Sequence, residues 1–492
     1  MKLHLILFFL FLGYYLFSQN FTEASSSSTI SPIVLGAIAF SDVDKDGDQD
    51  VLITGIDVVQ RETTKLYLND GEGSFTAMTN TPFEPVAAGC VAFADIDNDG
   101  DQDVLITGTI STDPRRVVSR LYTNDGAGIF TVVTNTPFRD LTVGEVAFAD
   151  VDGDGDQDVL LTGGDNSLIP HTELYINDGT GNFKEQTVTP FEDVFRSALA
   201  FADVDQDGDQ DLLLTGQNIF GEFISRLYTN DGTGNFTNST ASFLGARNGT
   251  TVFSDVDNDG DQDVLIAGWD NDFIPRTRLY INDGTGNFTV RSDISLANIV
   301  LGAAVFFDMD NDGDSDLLLS GSSATNTNNV YLDRVMRLYE NDGRGNFAAR
   351  NEPAFDRVVL SKLALADIDS DGDTDILSLG RITRSTPSVK LYINQQIISS
   401  TDGTYTDIPF DFSVFPNPAP VGAVNISFEM KQAQWVTISI FDLSGRILYQ
   451  QQQFLSVGKQ HISIEGSTLT SGNYFLQLTG GNERSSSLFS VE

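Results

Sequence analysis

Apolar residues in this chain come in short runs with no helical spacing. Val91-Ala92-Phe93-Ala94 and Val104-Leu105-Ile106-Thr107-Gly108 are typical, rich in β-branched residues and bounded by polar breaks. Such runs predict strands. Between these two lies the nonapeptide Asp-x-Asp-x-Asp-Gly-Asp-x-Asp. It occurs seven times, starting at Asp42, Asp95, Asp150, Asp203, Asp255, Asp308 and Asp367, at intervals of 53, 55, 53, 52, 53 and 59 residues. A period of this size marks one supersecondary unit per repeat.

Each unit continues alike. A stretch of variable length leads to Leu-Tyr-x-Asn, as in Leu121-Tyr122-Thr123-Asn124, and Asp125-Gly126-Ala127-Gly128 then turns the chain into Phe130-Thr131. Asp-Gly between β-type runs is a strong hairpin signal. Four antiparallel strands per unit make the blade of a propeller. The expected fold is all-β, a seven-bladed β-propeller over 19–398. The seventh unit has Leu391-Tyr392-Ile393-Asn394 but continues with Gln395, so it lacks the turn into an outer strand. Asn20-Phe21-Thr22 matches Asn235-Phe236-Thr237 and is predicted to supply that strand, which removes the open sheet edge.

The pattern changes at both ends. Met1-Lys2 followed by an apolar run from Leu3 to Phe17 reads as a secretory signal, assigned to 1–18, and is short for a membrane span. No transmembrane segment is expected after its removal. Residues 399–412 are polar and read as a linker. Residues 413–492 alternate apolar and polar positions and predict a small β-sandwich.

Composition narrows the chemistry. The chain has 492 residues, 70 acidic against 28 basic, for a net charge of −42. Phosphate binding needs a basic stripe, so a nucleic-acid partner is not expected. The lone cysteine, Cys90, occupies a repeat slot held elsewhere by Ala37, Glu145, Ala198, Thr250, Ala303 and Lys362, which does not suit a nucleophile.

Half of the acidic residues lie in the seven loops. They are Asp42, Asp44, Asp46, Asp48 and Asp50; Asp95, Asp97, Asp99, Asp101 and Asp103; Asp150, Asp152, Asp154, Asp156 and Asp158; Asp203, Asp205, Asp207, Asp209 and Asp211; Asp255, Asp257, Asp259, Asp261 and Asp263; Asp308, Asp310, Asp312, Asp314 and Asp316; and Asp367, Asp369, Asp371, Asp373 and Asp375. Carboxylates at positions one, three, five and nine, with a backbone carbonyl at seven, offer the hard oxygens that Ca2+ prefers. An EF-hand needs an acid at position twelve, where this chain has Ile53, Ile106, Leu161, Leu214, Ile266, Leu319 and Ser378. The expectation is up to seven structural Ca2+ ions in β-hairpin loops.

Phe-x-Asp-x-Asp-x-Asp-Gly-Asp-x-Asp followed by an apolar strand resembles the FG-GAP and VCBS repeats of integrin α-subunit propellers and bacterial surface proteins. The resemblance implies a seven-bladed propeller with calcium between the first and second strands of its blades. It implies no single activity, since members include adhesins and lectin-like binders, and similar propellers carry some polysaccharide lyases. Val414-Phe415-Pro416-Asn417-Pro418, Phe441-Asp442-Leu443-Ser444-Gly445-Arg446 and Gly472-Asn473-Tyr474-Phe475 resemble the C-terminal sorting domain of type IX secretion substrates. That resemblance implies contact with the type IX machinery and a secreted, extracellular or cell-surface protein.

Strand alternation puts the acidic loops and Asp-Gly turns on one face. The variable stretches fall on the other, and loops that vary in this way carry recognition. Arg115, Arg116, His171, Arg196, Phe223, Arg247, Trp269, Tyr331 and Arg334 lie in or near those stretches. Aromatic rings stack on sugars and guanidinium forks grip carboxylates or sulfates. The leading expectation is an adhesion or binding module for an extracellular glycan or surface protein. The alternative is an enzyme acting on an anionic polysaccharide, either a lyase with His171 and Tyr331 as candidate acid–base groups or a hydrolase using a pair of carboxylates.

Overall fold

The computed structural model describes residues 18–325, 329–350 and 355–397, and, in the C-terminal part, 412–415, 423–430, 434–441, 447–465, 469, 472–480 and 483–491. The signal segment up to Phe17, the linker apart from Phe412, and the motif residues Pro416–Pro418 and Asp442–Arg446 lie outside the described residues. The chain divides into two compact units, 1–398 and 399–492.

The first unit contains seven antiparallel sheets of four main strands each. Blade 4 shows the plan: Phe195–Ala202, Asp211–Gln217, Phe223–Asn230 and Phe236–Asn238, paired in that order. The inner strands Ile38–Ser41, Val91–Ala94, Val146–Ala149, Phe195–Ala202, Arg247–Ser254, Val300–Phe307 and Val359–Ala366 each pack beside the next, and the last packs against the first. The sheets therefore close into a ring. The core lies between blades. One cluster joins Ala94, Ile96 and Leu105 of blade 2 to Val146, Val159 and Leu161 of blade 3.

The Leu-Tyr-x-Asn motif owes its repetition to three bonds. The tyrosine hydroxyl, buried at the blade seam, accepts a backbone N–H from the segment entering the blade, as from Glu192 to Tyr228 and from Asp356 to Tyr392. The asparagine N–H donates to the last Asp of its own acidic loop, as Asn230 does to Asp211 at 2.8 Å. The asparagine Nδ2 donates to the carbonyl at position two of the preceding blade's loop. Asn124 reaches Val43, Asn177 reaches Ile96, Asn230 reaches Val151, Asn282 reaches Val204, Asn341 reaches Val256 and Asn394 reaches Met309. Asn69 of blade 1 closes the circle on Ile368 of blade 7 at 2.8 Å.

The predicted outer strand of blade 7 is Ser18–Glu23, which starts one residue inside the expected signal boundary. It pairs with Pro387–Ile397 and sets Phe21 opposite Asn394. Phe236 stands opposite Asn230, and Phe288 opposite Asn282, in the same register. Phe21 also completes a recurrent aromatic group. Its ring lies 5.6 Å from Phe355, which meets Tyr392 edge-on at 4.8 Å. Phe191 makes the same contacts with Phe236 and Tyr228, both at 5.1 Å.

In the second unit, Phe412–Phe415, Ala423–Met430 and Gly458–Glu465 form one sheet. Gln434–Phe441, Ile447–Leu455, Gly472–Gly480 and Glu483–Val491 form another. Residues of both sheets, including Ile426, Phe428, Ile438, Ile464, Leu476 and Phe489, share one buried core, as a β-sandwich requires.

Phe21→Ala removes a ring that is 5% exposed. Truncation of such a residue costs about 3–5 kcal/mol. The expected outcome is a clear fall in the denaturant midpoint of the propeller. A loss below about 1 kcal/mol would show that the N-terminal strand does not hold the ring closed.

Candidate metal loops and the opposite face

The acidic loops join the first and second strands of every blade. The fourth residue of each adopts a left-handed backbone: Lys45, Asn98, Gly153, Gln206, Asn258, Asn311 and Ser370 have φ between 54° and 75°. Asn and Gly tolerate that region well. Position one accepts the N–H of the glycine at six, as Asp203 accepts from Gly208 at 3.0 Å. Position five accepts the N–H of position seven, as Asp207 does from Asp209 at 3.1 Å. Position nine uses both oxygens, one on the asparagine N–H and one on the N–H of position two, as Asp211 does with Asn230 and Val204. These carboxylates are nearly fully buried, and burial pushes Asp50, Asp103, Asp158, Asp263, Asp316 and Asp375 up to about 7. Desolvation likewise lifts Asp211 to about 6.

Position three differs. In all seven loops its Oδ1 is buried without a hydrogen-bond partner: Asp44, Asp97, Asp152, Asp205, Asp257, Asp310 and Asp369. Desolvation, followed by repulsion from position five, raises Asp44, Asp97 and Asp205 above the ordinary carboxylate range. Carboxylate oxygens of Asp203, Asp205 and Asp211 lie within 4.8 Å of one another, as do those of Asp95, Asp97 and Asp99. Acceptors converging with no donor between them have the geometry of a cation site. An all-oxygen set on a flexible loop fits Ca2+ better than Zn2+, which favours nitrogen and sulfur.

In five loops position seven bonds its side chain to position four of the preceding blade's loop. Asn98 of blade 2 donates to Asp156 of blade 3 at 2.7 Å, Asn258 of blade 5 to Asp314 of blade 6 at 2.6 Å, and Asn311 of blade 6 to Asp373 of blade 7 at 2.7 Å. Lys45 pairs with Asp101 and Gln206 with Asp261 in the same way. The adjacent Asp-Gly turn closes over position seven. A Cβ on Gly126, at φ +72°, would sit 2.6 Å from Asp101 Oδ1. The turns thus share a face with the loops.

On the opposite face, the seven segments entering the inner strands surround a cavity of about 190 Å3 at the centre of the ring. Leu35, Ala88, Val143, Arg196, Asn248, Leu301 and Leu360 take equivalent places there, all with φ between 50° and 55°. Backbone bonds pass from blade to blade along this rim: the N–H groups of Ala88, Val143 and Arg196 donate to Leu35, Ala88 and Val143 at 2.6, 2.7 and 2.6 Å. The slot that holds Cys90 lines the channel below. Lys362 Nζ reaches Glu145 of a distant blade at 3.3 Å, and the Cys90 thiol donates to the same carboxylate at 3.3 Å. Burial, reinforced by Glu145, pushes that thiol up to about 12, so it is unreactive at neutral pH.

The residues expected on this face separate into groups. Phe223 and Trp269 are 4% and 3% exposed and pack with Val300, Val330 and Val359. They are not open stacking platforms, because the hairpins fold them inward. Their exposed edge is covered by Arg247, whose guanidinium lies 4.3 Å from the Phe223 ring centroid and 5.7 Å from that of Trp269. Arg196 lines the central cavity. Arg334 donates to the Tyr331 carbonyl, and Arg384 lies over the Tyr331 ring at 5.8 Å. Arg115 and Arg116 open the third strand of blade 2, with Arg116 exposed. His171 lies between Asp165 at 3.7 Å and Glu173 at 3.9 Å. It belongs to blade 3, whereas Tyr331 precedes the third strand of blade 6, so these two candidate acid–base groups are not brought together. The pairing of positions four and seven, and the Lys362–Glu145 bridge, escaped the sequence reading. Both depend on which blades face each other.

The FG-GAP-like repeat model matches residues 42–106, 150–214, 255–319 and 308–378, just over half of the chain. The secretion system C-terminal sorting domain matches residues 413–492. No curated protein matches the chain. Among solved structures, AofleA from Arthrobotrys oligospora is 12% identical, with 68% of this chain and 90% of that one covered at a TM-score of 0.37. The fucose-specific lectin of Aleuria aurantia is 8% identical, with 66% and 99% covered at a TM-score of 0.38. A thermostable family-43 glycoside hydrolase is 9% identical, with 54% and 94% covered at a TM-score of 0.30. The chain therefore belongs to the FG-GAP-like repeat family, and its C-terminal sorting domain makes it a protein secreted to the extracellular space or the outer cell surface.

Proposed function

We propose that this protein is a calcium-stiffened binding module that presents the face opposite its acidic loops to an extracellular glycan. One contrast carries the reading. The seven acidic loops keep one bonding scheme, whereas the hairpin on the other face varies from residues 113–114 in blade 2 to residues 323–333 in blade 6. Constancy on one side and variation on the other separate a scaffold from a recognition surface. The cations are structural in this reading: each loop supplies its own oxygens and holds its neighbours, and no substrate is needed to complete it.

The orphaned position-three oxygens support calcium. A site filled at a hundred times its Kd adds about 2.7 kcal/mol to stability. Chelation is therefore expected to lower the thermal midpoint, and calcium to restore it. Asp205→Asn is expected to remove one bound calcium per chain, counted by metal analysis after gel filtration. An unchanged midpoint in chelator, or no bound calcium in wild type, would sink the assignment.

Protons compete for the same oxygens. With no cation bound, burial lifts the position-nine carboxylates to about 7, and Asp211 to about 6, in the folded chain, against about 4 when unfolded. The folded state then holds more protons between these values, so its stability falls as pH rises through that window. The thermal midpoint in chelator should drop from pH 5 to pH 8, and calcium should reverse most of the loss at pH 8. A midpoint that rises with pH in chelator contradicts this account.

Retention on immobilised neutral and acidic polysaccharides tests the binding role, with reducing-end release measured on the same panel. Retention without release is expected. Release would make the protein an enzyme, and retention only by a protein ligand would replace the glycan.

A further inference from the structure

Cations in an acidic protein normally find carboxylates. Arg120, Arg139, Arg226 and Arg276 each do so here. Arg196 and Arg247 do not, although the chain carries 70 acidic residues. Among the described residues no carboxylate bonds to either. Among the described residues the Arg196 guanidinium meets only its neighbouring Phe195 ring, at 5.0 Å. Arg247 is wedged among Phe223, Trp269 and Phe273, donates one Nη1 bond to Gln217, and leaves Nε buried without a partner. Both are half-buried. Asn248, next to Arg247 in sequence, lines the same cavity as Arg196, and burial, with the Arg196 charge behind it, pulls Arg247 down to about 10. Two adjacent, partly desolvated cations without a counter-ion are costly, and an anion between protein and solvent removes that cost.

The cavity beside them completes the argument. Its wall includes Arg196, Ser197, Asn248 and Ser361. The single acid in it, Glu145, is already paired with Lys362 at 3.3 Å and accepts from Cys90. The mouth is thus left with a positive surplus on a protein of charge −42. Its volume of about 190 Å3 is below that of pockets for drug-sized ligands and suits one polar ring or head group.

We propose that the Arg196 cavity is a subsite for a single acidic sugar unit, with Arg196 and Asn248 binding its carboxylate or sulfate and Arg247 held behind them by its aromatic cage. This inference rests on the glycan-binding reading above and adds to it a location and a charge. Arg196 contacts the ligand; Arg247 acts as a positioning residue through its field.

The test uses the mature full chain in calcium, with titration calorimetry against glucuronate, glucose 6-sulfate, glucose and inorganic sulfate. Glucuronate or glucose 6-sulfate is expected to bind and glucose to fail; whichever binds better tells carboxylate from sulfate. Arg196→Gln is expected to weaken the acidic sugar by about tenfold or more, the loss of one charge-assisted bond. Arg196→Lys should recover only part of this, and Arg291→Gln on the calcium face should change nothing. Arg247→Gln should also weaken binding. Because it could loosen the aromatic cluster, the decision rests on Arg196→Gln at an unchanged thermal midpoint. Equal binding of glucose and glucuronate, or an unaffected Arg196→Gln, overturns the subsite. Inorganic sulfate binding as tightly as the sulfated sugar overturns its sugar part. If wild type still retains polysaccharides in those cases, the broader binding role stands. If wild type binds no sugar and no polymer, both fall.

Discussion

Five carboxylates confined to a nine-residue turn repel one another, and every blade meets that repulsion where it is also bonded to its neighbour. Two unit charges 4 Å apart interact by about 4 kcal/mol near a protein surface. A backbone hydrogen bond nets about 1 kcal/mol. The N–H donors in each loop therefore organise the acids without balancing them. They fill positions one, five and nine and leave Oδ1 at position three bare. A divalent cation there would fix the loop, and with it the position-two carbonyl that receives the next blade's asparagine. Local electrostatics and ring geometry thus meet in one turn.

Much of this was legible in the residues because repetition exposes it. The Asp spacing located all seven loops, and the match of Asn20-Phe21-Thr22 to Asn235-Phe236-Thr237 located the closing strand. Both signals are comparisons of the chain with itself. Contacts between different positions of different blades could not be read in that way. Asn98 meets Asp156 only because blade 2 lies beside blade 3, and Lys362 meets Glu145 only across the central channel. Phe223 and Trp269 misled for another reason. An aromatic near a hairpin can project outward or fold beneath it, and sequence carries no signal for which. Here both are buried while Phe220 in the neighbouring turn is 85% exposed.

The two faces divide the electrostatics. One concentrates acid, and its bonding is nearly invariant from blade to blade. On the other, Arg196 and Arg247 bond to no carboxylate among the described residues, and Arg247 is stacked against rings that hold its direction. Acid sorted in this way makes the two faces electrostatically unequal.

The closing strand has a mechanical consequence. Pro387–Ile397 is the last strand of the ring and the one from which the chain runs on toward its C-terminal unit. It lies between Asp375–Arg381 and Ser18–Glu23, bonded along both edges. Tension entering through the C-terminal segment pulls it along its own length, and its ladder bonds are loaded together in shear instead of parting one at a time. A tethered propeller of this build would yield abruptly at high force, and the closing strand Ser18–Glu23 would share in setting that limit.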